Sequence, residues 1–212
     1  HAGRLWLSDF YTRQVIAVGL DGTVETIAEV PGQPSGLGWL PDGRLLVVSM
    51  RDRKLLRREP DGRLVEHADL SAVAGGHAND MVVDRQGNAY VGNFGFDLMG
   101  GAPFAPARLA RVTPDGTVSA VAEGLYFPNG SMVTPDGRTL IVGETSGNRL
   151  SAFDLLPGGG LGPRRDWAVF GPLPQGDNLA QVIAQTQVAP DGAALDAEGA
   201  VWLADANHRR VL

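Results

Sequence analysis

One hairpin pattern returns four times in this chain, and nothing else in the sequence restricts the fold as strongly. Read from a polar residue to a turn glycine eight positions later, the copies are Ser35 to Gly43 (SGLGWLPDG), Asn79 to Gly87 (NDMVVDRQG), Asn129 to Gly137 (NGSMVTPDG) and Asp191 to Gly199 (DGAALDAEG). An apolar run follows each: RLLVVS, NAYVGN, RTLIVGE and AVWLAD. This is strand, tight turn, strand, because Asp-Gly and similar pairs supply the positive φ that a tight hairpin needs. A second, more polar hairpin lies between the copies. It reads QVIAVGLDGTVETIAEV from Gln14, KLLRREPDGRLVEHADL from Lys54 and RLARVTPDGTVSAVAEG from Arg108, with a looser version from Arg149.

The unit is therefore four antiparallel strands, an inner hairpin followed by an outer one. Its copies are spaced by 44, 50 and 62 residues, and the shortest spacing fits the ~40–50 residues of a propeller blade. The excess falls in two segments read as loops over the channel mouth, Phe94 to Ala107 and Gly171 to Ala189. A β-sandwich is the competing all-β fold, but it does not predict a two-phase repeat of this length. The sequence predicts an all-β chain, a β-propeller of four-stranded antiparallel blades forming one domain over residues 1–212. Gly3 aligns with the turn glycine, so the chain is expected to start at the second strand of a blade and to stop in the third strand of another, at Arg210 to Leu212. Three whole blades and two partial ones are expected, as in a piece of a longer polypeptide, since an open propeller leaves strand edges unpaired.

Composition limits the partners. Hydrophobic residues make up 43% and charged residues 20%, enough to bury a core. The net charge is −6, and the basic residues from Arg51 to Arg58 alternate with apolar ones, so no nucleic-acid partner is expected. There is no cysteine, which excludes disulfides and thiolate metal sites. No apolar run approaches the ~20 residues of a membrane helix, and no signal-peptide pattern stands at residue 1. No membrane role is expected, and a cytoplasmic location is. The oligomeric state stays open.

In a propeller the innermost strands all begin at one mouth of the central channel, so equivalent positions form a ring there. The ring holds Ser35, Asn79, Asn129 and Asp191. Asn-Gly and Asp-Gly are also ordinary turn pairs, but the hairpin turns here are Asp42-Gly43, Gln86-Gly87, Asp136-Gly137 and Glu198-Gly199. Asn129-Gly130 and Asp191-Gly192 fall seven residues early, at strand entry, where a glycine lets backbone approach a ligand. Two amide oxygens and a carboxylate suit one divalent ion, Ca²⁺, Mg²⁺, Mn²⁺ or Zn²⁺. One carboxylate is little charge for such an ion, so a further acidic ligand is expected upstream of residue 1. His77, two before Asn79, is either a substrate contact or a channel-mouth histidine that binds nothing. Glu144 and Asp205 read as structural residues toward the end opposite the ring, and Trp6, Trp39, Trp167 and Trp202 as core. No G-x-S-x-G, H-E-x-x-H, P-loop or G-x-G-x-x-G pattern occurs.

The stretches HANDMVVDRQGNAYVGNFGFD (77–97), FPNGSMVTPDGRTLIVGET (127–145) and PDGAALDAEGAVWLADA (190–206) resemble the senescence marker protein, gluconolactonase and luciferin-regenerating enzyme family. The resemblance runs in order over nearly the whole chain. It implies a six-bladed propeller with one divalent metal at the channel mouth. It makes Asn129 a metal ligand, Asp191 a ligand and possible general base, and Asn79 a contact to substrate or to metal-bound water. A glutamate ligand of the family's first blade has no match here. The resulting expectation is a metal-dependent lactonase opening a sugar lactone or similar small cyclic ester. The alternatives are a non-catalytic propeller that binds a small ligand or a protein partner, and an esterase or phosphotriesterase on the same fold.

Overall fold

The computed structural model describes residues 1–212 and contains five antiparallel sheets. Strands β1 (Leu5–Asp9), β2 (Gln14–Val18) and β3 (Val24–Glu29) form a three-stranded sheet. Three four-stranded sheets follow. The first is β4 (Pro34–Trp39), β5 (Leu45–Ser49), β6 (Lys54–Arg58) and β7 (Leu64–Asp69). The second is β8 (Ala78–Val83), β9 (Ala89–Asn93), β10 (Ala107–Val112) and β11 (Val118–Leu125). The third is β12 (Pro128–Val133), β13 (Thr139–Glu144), β14 (Arg149–Asp154) and β15 (Arg165–Val169). The last sheet has three strands, β16 (Pro190–Leu195), β17 (Val201–Asp205) and β18 (Arg210–Val211). Three whole and two partial blades are thus present, as the repeat predicts. The six-bladed ring that the resemblance implies is not complete in these residues.

The sequence explains each blade locally. Asp42, Asp61 and Asp136 accept the backbone N–H two residues on, each at 3.0 Å, while the following glycine takes a φ of +73° to +88°. The second strands β5 and β9 are buried along their whole length, which is why their runs are apolar on both faces. The outer strands β7, β11 and β15 are half-exposed and mixed. The core lies between blades. Leu46, Leu55, Leu70, Met81 and Val91 join the sheet of β4 to that of β8. Tyr90, Leu109, Leu140 and Phe153 make the next joint, and Met132, Ile141, Leu150 and Leu203 the one after. Val15, Val30, Leu45 and Val47 hold the first sheet to the second.

Three expectations are corrected. Glu144 and Asp205 lie at the same end as the ring, not the opposite one: Glu144 pairs with Pro128 and Asp205 with Pro190. An antiparallel hairpin returns to the end where it began, so the last residue of the second strand stands behind the first residue of the inner strand. Trp167 and Trp202 are not core, being 41% and 57% exposed. Trp167 sits on the outermost strand of its blade, and Trp202 on a sheet whose other face carries no blade here. Trp6 and Trp39 are half-buried and pack edge to face at 5.4 Å. The segment from Gly171 to Ala189 is not wholly loop: it holds a short helix α1 (Leu179–Ile183), capped by the Asn178 side chain accepting the Gln181 N–H. No helix is long and apolar enough to cross a membrane.

Candidate functional site

The four inner strands share a defect at the same place. Pairing breaks between Pro34 and Leu37, Ala78 and Met81, Asn129 and Met132, and Pro190 and Ala193. A bulge at strand entry turns the side chains there out of the regular alternation. The bulge encloses Ser35, Asn79 and Asp191 and begins directly after Asn129, so the early Asn-Gly and Asp-Gly pairs mark bulges. Gly130 takes a φ of +45°, and a side chain there would collide with the Asp191 carbonyl oxygen. Its glycine therefore serves the close approach of neighbouring inner strands rather than of a ligand. Gly130→Ala is expected to cost about 2 kcal/mol or more in urea unfolding, from left-handed strain and the collision together. Gly192→Ala, with open space and no positive φ, is expected to stay within ~0.5 kcal/mol; equal losses at both would sink this reading.

The ring residues converge. A cavity of about 250 Å³ at the mouth is lined by Ser35, Asn79, Asn129 and Asp191, with Asp80 beside them. The Ser35 hydroxyl donates to Asn79 Oδ1 at 3.2 Å. The Asn129 amide donates to Asp191 Oδ1 at 2.7 Å and to Thr145 Oγ1 at 3.3 Å, and Thr145 donates to the Pro190 carbonyl at 2.6 Å.

Asp80 is the residue that the sequence reading missed. Burial pushes its carboxyl from 3.8 up to about 6, and the Asp191 charge adds to the effect. The N–H groups of Met81, Ser131 and Gly130 pull the other way. A signal was present: the bulge position after the ring residue is glycine in three blades, Gly36, Gly130 and Gly192, and aspartate only here. The lining offers carboxylate, amide and hydroxyl oxygens and no histidine, with two carboxylates close enough for one to act on the other's charge, and this chemistry fits a hard divalent cation. The second carboxylate of the cavity is that of Asp80, the neighbour of Asn79.

His77 falls elsewhere. It lines a separate cavity of about 250 Å³ on the rim, with Arg51, Arg53 and Asp97. The two long loops do meet each other: the Phe104 N–H donates to the Asp177 carbonyl at 3.0 Å, and Phe104 packs on Phe96 and Tyr126. A larger cavity of about 360 Å³ lies at the opposite face, around Trp6, Trp39 and the Asp42-Gly43 turn, away from the ring.

Glu144 and Asp205 keep their structural reading. Glu144 accepts the Tyr126 N–H and Asp205 the Ala189 N–H, so each holds the backbone just before a ring residue. Asn148, fully buried, does the same for the loop with α1, bonding Pro172, Gln185, Gln187 and Val188 backbone.

Among known proteins, a pentonolactonase of Haloferax volcanii is 29% identical over 163 residues, 77% of this chain and 49% of the relative. The structure of a gluconolactonase of Xanthomonas campestris aligns with a TM-score of 0.70 at 25% identity, covering 95% of this chain and 66% of that one. A calcium-binding regucalcin of Agrobacterium tumefaciens shares the fold, with a TM-score of 0.71 at 24% identity over 96% of this chain and 63% of its own. The chain spans between 49% and 62% of the length of the curated relatives it matches. The pattern of one family, the SMP-30/Gluconolactonase/LRE-like region, matches residues 1–212 throughout, and the chain belongs to that family.

Proposed function

We propose that the polypeptide to which this chain belongs is a metal-dependent lactonase acting on a sugar lactone or similar small cyclic ester. The observation that carries this reading is the convergence of Asn79, Asp80, Asn129 and Asp191 in one cavity at the mouth of a lactonase-family propeller. Asn129 and Asp191, with Asn79, would hold a divalent cation, which when bound would supply Lewis acidity at the lactone carbonyl and offset the oxyanion. Asn79 also orients the substrate through its hydroxyls. Asp191 serves poorly as ligand and base at once, and Asp80 beside it divides the two tasks. A carboxylate of this pair takes a proton from the attacking water, and the ring oxygen receives it when the ring C–O bond breaks. The bulges hold all four side chains on rigid strands, so little reorganisation is left to the reaction.

The test is hydrolysis of a panel of aldonolactones by the complete natural polypeptide, followed with a pH indicator, with and without chelator. Hydrolysis that stops with chelator and returns with Ca²⁺ or Zn²⁺ is the expected result. A protein that binds the metal ion yet opens no lactone overturns the reading in favour of another ester. One that binds no metal overturns it in favour of a ligand-binding propeller.

A further inference from the structure

The rim cavity around His77 has a composition that fold maintenance does not call for. Its lining is Arg51, Arg53, Gly75, Gly76, His77 and Asp97, with no apolar side chain. Arg51 and Arg53 lie in the β5–β6 turn. Arg53 donates one N–H to the Ala74 carbonyl at 3.3 Å, the Arg51 guanidinium makes no hydrogen bond, and neither guanidinium is ion-paired. Of the acids close by, Glu66 is taken by Lys54, Asp69 feels the Arg53 charge without pairing to it, and Asp97 lines the cavity itself. Two like charges beside one cavity repel each other, Asp97 offsets one of them, and a bound anion would relieve the remainder. A side chain at Gly75 or Gly76 would collide with the Gly95 or Phe96 carbonyl oxygen, so the floor is bare backbone that leaves the guanidinium forks unobstructed. His77 Nδ1 is buried without a partner.

We propose that this cavity is an oxyanion subsite of the mouth, so that the lactone bound over Asn79 and Asp191 carries a carboxylate or phosphate distant from its ring carbonyl, gripped by Arg51 and Arg53. The inference rests on the lactonase reading and narrows its substrate class. Reach permits it: His77 and Asn79 are two residues apart, so their Cα atoms are separated by at most about 7 Å, a span that a six-carbon sugar acid bridges. Planar guanidinium groups recognise both oxyanions bidentately, and Asp97 is left to accept a substrate hydroxyl.

The complete natural polypeptide, with metal, is assayed on gluconolactone, on glucarolactone with its free carboxylate, and on 6-phosphogluconolactone. One anionic lactone is expected to exceed the neutral one in kcat/KM by about tenfold or more, the effect of a charge-assisted bidentate contact; which of the two identifies the oxyanion. In Arg51→Gln that ratio is expected to collapse toward one, and in Arg51→Lys to survive in part. Arg51 is exposed on a turn, so loss of folding does not cloud the result. Equal kcat/KM for neutral and anionic lactones, or a ratio unchanged in Arg51→Gln, overturns the subsite. Calorimetry with open-chain glucarate and 6-phosphogluconate separates the two readings. Glucarate binding that Arg51→Gln weakens, with no lactone opened, sustains the subsite and removes the hydrolase. Neutral lactones opened with binding of neither glucarate nor 6-phosphogluconate remove the subsite and keep the hydrolase.

Discussion

Asp80→Asn is expected to make the metal-free protein more stable at neutral pH and nearly inactive. The Asp80 carboxyl is raised from 3.8 to about 6 in the folded protein, so between these values the folded state keeps a proton that the unfolded state has lost. Stability is therefore fully present below about pH 4 and declines as pH rises through about 6. The loss at pH 7 is at most about 3 kcal/mol, from 1.36 kcal/mol per pH decade. Asparagine removes that charge while keeping its shape. Urea unfolding of chelated protein should show the variant ahead of the parent at pH 7 and level with it at pH 4. Hydrolysis should fall by about 10²–10⁴, the usual contribution of a positioned proton acceptor. A variant no more stable at pH 7 would overturn the burial of an ionised Asp80; a fully active one would remove Asp80 from the chemistry.

Glu144→Ala is expected to cost about 3–5 kcal/mol of stability and to weaken metal binding as well. Glu144 is fully buried, accepts the Tyr126 N–H at 2.8 Å and the Ser151 hydroxyl, and has the Arg164 guanidinium at 3.7 Å. Alanine leaves two buried donors unsatisfied at about 1–3 kcal/mol each, and adds a cavity. Tyr126 precedes Phe127, which holds a left-handed φ of +60° immediately before Pro128 and Asn129. Such strain persists only while its surroundings fix it. Losing the anchor frees this entry segment, so Asn129 loses its aim although nothing in the cavity has changed. Glu144→Gln keeps one acceptor and should fall in between. A cost below about 1 kcal/mol for Glu144→Ala would contradict the anchoring role.

The blade order could be read from the sequence because the information is local: an Asp-Gly turn and an apolar run recur in fixed phase, and each is decided within about ten residues. The ring could be read for the same reason, since one strand position repeated in four blades must meet around one axis. Asp80 escaped because its effect depends on burial and on Asp191, which belongs to a strand 111 residues away in sequence and two blades around the axis. The placement of Glu144 and Asp205 went wrong through direction rather than pattern, as the return strand was followed to the wrong end. Trp167 and Trp202 read as core because apolar neighbours do not say whether the next blade covers a given face. The helix α1 is five residues long, too short for any period to show.

The bulge common to β4, β8, β12 and β16 separates the scaffold from its payload. The bulged backbone, held from behind by anchors such as Glu144 and Asp205, sets where each mouth-facing side chain points. Chemistry at the mouth can thus be rewritten one slot at a time, serine for asparagine or aspartate, while the fold is inherited intact. A chain built this way can drift from one reaction to another through single substitutions, and Ser35, the one slot without an amide or carboxylate, is where such drift has the most room.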